Sequence, residues 1–543
     1  GGTFTAKSGN AAIKAYDWAN NTESNFTASD KVAVSGGTFS SAVPAGLCAE
    51  GFIPTKNENG TYGVKEGKYV AEYNGTQYTS LQEAINAAAK KNGGATVKLL
   101  CDLTITETVN FDKEHAGAVT LDLGGFTLAG KGCRAIQINR GTLSLKNGTV
   151  TSTGIVDSSS VIRIGSNEDA YKNAAPQLSV ETDAKVLAPD SYGVTLFGST
   201  TVSEKLTVKN NGSIKATGPS PAISGNGDKK YNKEKGTEIV ITGNAVVSAT
   251  NNYAIYHPDN GELKIQQTAT VTGKGGIQMC SGTLNISYGS PKIEALGKAD
   301  HETGAAGPIY DIAAISVVNR SYPGGAPVVT IKGTPTVTAN EGEVIHAYTW
   351  SSGAESDWAD AGDYINVSGG TYNKTFKDAY LADNCALVAT ENNMYTVDKK
   401  PIAEVNGKQY TTLKEAFAAA NAGDIVTLIA DFTTDATAKL ITQRLEIKQN
   451  VTLDLNGHVM TIPGELEQSG NWAAFYINGG ALTVKDSSTY KTGKIIGADK
   501  TETGYDYQGG VYLFHLCGGD LIIENGTFYA GGTAVNVEKG TAT

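Results

Sequence analysis

Little in this sequence is suited to holding a metal, a phosphate or a lipid. Its six cysteines (Cys48, Cys101, Cys133, Cys280, Cys385, Cys517) include no CxxC pair, so isolated buried thiols are expected rather than a disulfide framework or a zinc site. The six histidines (His115, His257, His301, His346, His458, His515) are scattered and form no set that returns with the repeat described below. There is no GxSxG, no HExxH, no phosphate loop and no GGxGxD nonapeptide, and no cofactor is called for. A formal net charge of −11 with no Lys/Arg run argues against nucleic acid and against an acidic membrane surface. No apolar stretch approaches the ~18 residues needed to span a bilayer, so no membrane insertion is expected in this segment. Residue 1 falls inside a repeat, which places any export or anchoring signal outside this window.

What is abundant is glycine, 65 of 543 residues, alongside 40% hydrophobic and only 18% charged residues. That balance implies a buried core, many tight turns and few helices. The chain also says the same thing twice. Val70–Leu81 (VAEYNGTQYTSL) returns as Ile402–Leu413 (IAEVNGKQYTTL), 332 residues on (404 − 72), and Val119–Leu123 (VTLDL) returns at Val451–Leu455 with the same offset. Val34–Thr38 returns at Val367–Thr371, 333 residues on (367 − 34). A tandem array is implied, with the tail of one unit over 1–66, a complete unit over 67–398 and the start of another over 399–543.

Each unit opens with two short strands around Asn74-Gly75 or Asn406-Gly407, the dipeptide of a tight hairpin. A helix follows, over 80–91 and 412–421. Ser80 with Glu83 and Thr412 with Glu415 fit capping boxes, and Leu81, Ala84, Ile85, Ala88 and Leu413, Ala416, Phe417, Ala420 make one apolar stripe each. After that the text is short alternating strands, among them Val119–Leu123, Thr142–Leu145 and Thr283–Ile286, punctuated by Gly-Thr and Asn-Gly corners. Strand, sharp corner and strand, iterated without helices, is what the coils of a parallel β-helix need. A string of antiparallel β-sandwiches is the competing reading. The expected fold is all-β: right-handed parallel β-helix units in tandem, each opened by a hairpin and one capping helix, with Leu121, Leu143, Leu145 and Ile286 facing inward.

The segments VNGKQYTTLKEAFAAANAGDIVTLIADFT, VTLDLNGHVMTI and GGALTVKDSS, matched again over 69–150, resemble the opening of pectate-lyase-like right-handed β-helix domains of large Gram-positive bacterial cell-surface proteins. The resemblance implies that fold and an extracellular, cell-surface location. It implies no particular activity, because the fold hosts lyases, hydrolases and adhesins alike.

A lyase or hydrolase acting on acidic polysaccharide would need clustered carboxylates with an Arg or Lys. Of the five arginines, Arg134 and Arg140 flank one strand and are expected at a solvated edge. Asp122 and Asp454 recur in both copies, and alternation turns them outward, where they would cap turns. Glu355, Asp357, Asp360 and Asp363 could chelate calcium in one copy only, since the counterpart reads Glu23, Asn25, Ala28 and Asp30. Aromatic residues are the better lead. Tyr16 and Trp18 return as Tyr348 and Trp350, with Trp358 close behind, and same-side aromatics can stack on sugars or anchor a protein; packing against a loop is the other reading. The sequence therefore points to a non-enzymatic adhesin or display protein, binding host or environmental glycans or glycoproteins multivalently through neighbouring units. A polysaccharide lyase or glycoside hydrolase is second and a passive stalk third.

Overall fold

The computed structural model describes residues 1–25, 31–90, 93–111, 118–155, 159–166, 168–171, 173–198, 203–227, 236–297, 311–434, 444–462, 473–497 and 512–543. Ala28, Asp30, His115 and His301 lie outside these residues. The chain divides into two compact units, Gly1–Ile365 with Gly370–Phe376, and Asn366–Gly369 with Lys377–Thr543.

Most of the first unit is a right-handed parallel β-helix. Each coil contributes one strand to each of three long parallel sheets. A representative coil runs Val119–Asp122, Thr127–Lys131, Ile136–Ile138, and the next runs Thr142–Lys146, Gly148–Thr153, Ser160–Ile164. Register is kept by files of apolar residues. On the first sheet Val119, Leu143, Leu178, Leu206 and Ile239 stack in successive coils, and Leu121, Leu145, Val180 and Val208 form a second file. A slip of one residue would turn all of these outward, so burial itself fixes the pairing. Leu121, Leu143, Leu145 and Ile286 are all fully buried, as the alternation predicts. Strand pairing through the coils is parallel, which excludes the sandwich alternative.

The capping helix Leu81–Ala88 buries Leu81, Ala84, Ile85 and Ala88. Ser80 Oγ accepts the Glu83 amide at 3.4 Å, and in the second unit Thr412 Oγ1 accepts the Glu415 amide at 3.2 Å ahead of the helix Leu413–Ala419. Phe417 is only partly buried, edge-on to Phe475 with ring centroids 6.3 Å apart, because its stretch of the helix is short and near the end.

The repeat is one of structure as well as text. The hairpin Phe52–Lys56/Tyr62–Glu66 returns as Cys385–Ala389/Tyr395–Lys399, and the lone bridge Val34–Cys48 returns as Val367–Leu381. The second unit repeats the opening hairpin, helix and first coils. There the twelve-residue strand Tyr512–Ile523 pairs Ala473–Ile477 through its first half and Ala481–Lys485 through its second. No helix among the described residues is long and apolar enough to cross a membrane.

Candidate functional site

The inward files are mostly apolar, with His257 an exception, and the outer faces of the sheets carry much of the polar chemistry. On the third sheet of the first unit the outward positions in register read Gln137, Arg163, Thr195, Ser224, Tyr256, Gln278, Ser316 and His346. The last coils of this file bring together the densest group of functional side chains.

Ser316 Oγ donates to Asp311 at 2.5 Å and lies 2.7 Å from the Tyr253 hydroxyl. Asp311 Oδ2 is 3.1 Å from His346 Nδ1, and Glu355 Oε1 is 3.3 Å from His346 Nε2, so the imidazole is held between two carboxylates. Beside it Tyr256, Cys280, Val318 and Tyr348 pack together, with Tyr322 and Trp350 half-buried against them. The Tyr256 hydroxyl is 3.1 Å from that of Tyr322 and accepts from Arg320 Nη1 at 3.3 Å, and the Arg320 guanidinium lies 5.1 Å from the centroid of the Tyr322 ring. Ile312, next to Asp311, is buried with φ +50°, a conformation that costs a β-branched residue energy and that the surrounding contacts must hold.

Burial alone would lower the pKa of His346, but the Asp311 hydrogen bond and the charges of Asp311, Glu343 and Glu355 outweigh it, and the imidazolium is favoured. The phenols go the other way. Burial first, then neighbouring negative groups, raises Tyr348 and Tyr256 well above an ordinary tyrosine, and burial pushes the Cys280 thiol up to about 12 despite Arg320. The Tyr348 hydroxyl faces Asp311 without a hydrogen bond of ordinary geometry. Neither phenol nor the thiol is a base at neutral pH. What the group offers is two cations, phenolic donors and aromatic faces.

The sequence-predicted ligand residues divide. Tyr348 and Trp350 belong to this group, but Tyr348 is 1% exposed and has no open face. Trp358 is 4% exposed, its ring tilted against Tyr364 at 5.1 Å, and takes no part in an exposed platform. Both pack against their neighbours: Tyr348 lies among Tyr256, Cys280 and Val318 of the preceding coils, and Trp358 lies against Tyr364. Tyr16 and Trp18 sit on the equivalent hairpin, Tyr16–Ala19/Thr22–Asn25, and are 46% and 63% exposed. On that first hairpin Lys14 takes the place of His346 and pairs with Glu23 at 2.6 Å.

Asp122 and Asp454 behave as turn caps. Asp122 Oδ1 accepts from the Gly124 amide and from Asn147 Nδ2, both at 3.0 Å, and Asp454 Oδ1 accepts from the Asn456 and Ser487 amides at 3.0 and 2.9 Å. Arg134 is not at a solvated edge. It is half-buried, donates to Gln137 and Ser159, and burial together with Arg163 lowers its pKa to about 10. Arg140 donates to the Ala170 carbonyl at 2.8 Å and lies over the Tyr171 ring. The acids from Glu355 to Asp363 form no metal-ready group among the described residues; Glu355 is turned to His346. The His, Cys and carboxylate atoms that do converge are those of His515, Cys517 and Glu538, in the second unit.

Sequence reading missed Asp311, Arg320, Tyr322 and Tyr256 because the coils that carry them differ in length. The available signal was His346, two residues before a repeated tyrosine and replaced by another cation in the other copy.

No family model and no curated protein matches the chain. Among solved structures it is similar to AlyGC, a PL6 family alginate lyase, at 12% identity over 82% of this chain and 75% of that one, with a TM-score of 0.24. A mutant of the same lyase gives 12% identity over 85% and 79%, with a TM-score of 0.21. Likeness at this level carries nothing about substrate or catalytic residues, and the fold rests on the strand pairing above.

Proposed function

We propose that this chain is a non-catalytic binding β-helix of an extracellular bacterial surface protein, engaging glycan or glycoprotein on the outer face that carries Arg320, Tyr322, His346 and Trp350. The observation that carries the reading is the grouping of cations and rings on that face: the Arg320 guanidinium lies 5.1 Å from the centroid of the Tyr322 ring, Trp350 is half-buried against the same cluster, and His346 beside them is biased toward its charged form by its carboxylate neighbours. Sugar recognition uses those elements. Tandem units would multiply a weak site by raising effective concentration.

A lyase or glycoside hydrolase acting on acidic polysaccharide is the second reading. It is favoured by one observation: a charged imidazole in contact with two carboxylates, which could act as an acid beside a carboxylate. One experiment separates the two. The chain is screened against a glycan and host-glycoprotein array, and in parallel incubated with pectin, alginate, hyaluronan and mucin glycans, with and without Ca²⁺. Retention without release of reducing or unsaturated ends is expected, with Trp350→Ala weakening retention by about 1–3 kcal/mol. Release that His346→Gln abolishes would replace the binding reading with the enzymatic one.

A further inference from the structure

We propose that His515, Cys517 and Glu538 form a binding site for a zinc-type divalent transition-metal ion with three protein ligands. Their donor atoms are already arranged as a coordination face: Cys517 Sγ is 3.4 Å from His515 Nε2 and 3.2 Å from Glu538 Oε2, and His515 Nε2 is 3.3 Å from Glu538 Oε1. An ion about 2.0–2.3 Å from nitrogen, oxygen and sulfur in a tetrahedron separates its ligands by about 3.3–3.6 Å. Nitrogen and sulfur already stand at that separation, and Glu538, which meets the sulfur with one oxygen and the imidazole with the other, has to turn a single oxygen toward both.

The local backbone explains how three residues in two strands converge. His515 and Cys517 both point outward from the strand Tyr512–Ile523, two residues apart. In the neighbouring strand Val535–Ala542 the pairing runs Leu516↔Val537 and then Cys517↔Lys539, so Glu538 is the extra residue of a β-bulge. Val537 is in register with inward-facing Leu516, so alternation turns Glu538, the next residue, to the outer side that carries the thiol and imidazole. His515 is buried whereas Glu538 is 60% exposed, which leaves the fourth tetrahedral position on the solvent side.

The donor set selects the ion. One thiolate, one imidazole and one carboxylate suit zinc and cobalt(II), whereas calcium and magnesium take oxygen ligands. On binding, the Cys517 sulfur forms a bond to the ion and its proton passes to solvent. His515 gives the Nε2 lone pair and keeps its proton on Nδ1. Glu538, which accepts from the thiol in the metal-free chain, turns an oxygen to the ion. The thiol must give up its proton to bind the ion, so affinity should climb with pH. Among the described residues His515 Nδ1 is buried without a partner to orient the imidazole, so binding should be looser than in a closed structural zinc site. Bound metal would clamp the strand Val535–Ala542 to its neighbour.

The test is titration of the full chain with cobalt(II), read by absorption. Wild-type chain is expected to saturate at one equivalent with a thiolate-to-cobalt charge-transfer band and the intense visible bands of tetrahedral cobalt, and zinc should displace both. Cys517→Ser should lose the charge-transfer band, and Glu538→Gln should keep it while weakening binding at least about tenfold. Glu538 is exposed enough that its substitution should leave the metal-free melting curve unchanged, so a folding defect in the cysteine variant would not stop the test. The site is refuted by absence of the band in wild-type chain, by its persistence in Cys517→Ser, by equal affinity of Glu538→Gln, or by equal binding of calcium.

Discussion

Two histidines of the first unit sit in environments of opposite sign, and the consequences for stability oppose each other. His346 gains its proton on folding, because Asp311, Glu343 and Glu355 together outweigh burial. Its contribution is therefore fully present below the unfolded value, about 6.5, and is lost as pH rises through the folded value. Comparing His346→Gln with wild type by thermal unfolding should show the largest deficit in mild acid and a gap that closes as pH rises through the folded value. His257 faces inward, fully buried, its Nδ1 donating to the Ser281 carbonyl at 3.2 Å and its Nε2 3.5 Å from the Thr237 hydroxyl. Burial lowers its pKa to about 4, so the folded chain excludes a proton that the unfolded chain accepts. Stability should fall as pH drops from about 6.5 toward 4, by at most about 3 kcal/mol. His257→Asn, though weaker at neutral pH, should lack that acid-dependent loss, and a parallel loss in the variant would place it on other groups.

Strands and corners answer to a different constraint, the roughly constant distance between stacked coils. Gly212 shows it: a Cβ there would collide with the Val180 carbonyl of the coil beneath, so the corner needs glycine for close backbone approach. Gly212→Ala should destabilise the first unit by about 1–3 kcal/mol in denaturant unfolding, the cost of overpacking. Helix caps are a milder case, and Ser80→Ala or Thr412→Ala should each cost about 1 kcal/mol. These elements were legible because their rules are local. A capping box spans four residues, and the alternation of Val119, Leu121 and Leu123 is contained in one strand. The candidate site was not legible. Tyr256, Cys280, Val318 and Tyr348 meet because they occupy neighbouring coils, and the gaps between them, 24, 38 and 30 residues (280 − 256, 318 − 280, 348 − 318), follow no fixed period. A repeat search finds what recurs at 332 within this sequence, and of this group it reaches Tyr348 and Trp350. The His515–Cys517–Glu538 face was hidden for a related reason, since its third member comes from a separate strand 21 residues after Cys517.

At the scale of the molecule, the division into two compact units makes a claim about cooperativity. Coils contact only their neighbours in sequence order, so stability is a sum of local coil and interface terms rather than a property of one core. Each unit has its own apolar interior: Leu145 stands in the files of the first, while Phe475 and Phe514 stack at 5.2 Å in the second. Thermal or guanidinium unfolding followed by calorimetry should show two transitions, and core substitutions should sort between them. Phe475→Ala should lower one transition by the equivalent of about 3–5 kcal/mol and leave the other in place, and Leu145→Ala, at about 2–5 kcal/mol, should do the reverse. If zinc binds at His515, Cys517 and Glu538, it should raise only the transition that Phe475→Ala lowers, because ligand binding stabilises the unit that holds the site. A single transition moved by both substitutions would mean that the coils unfold as one cooperative body.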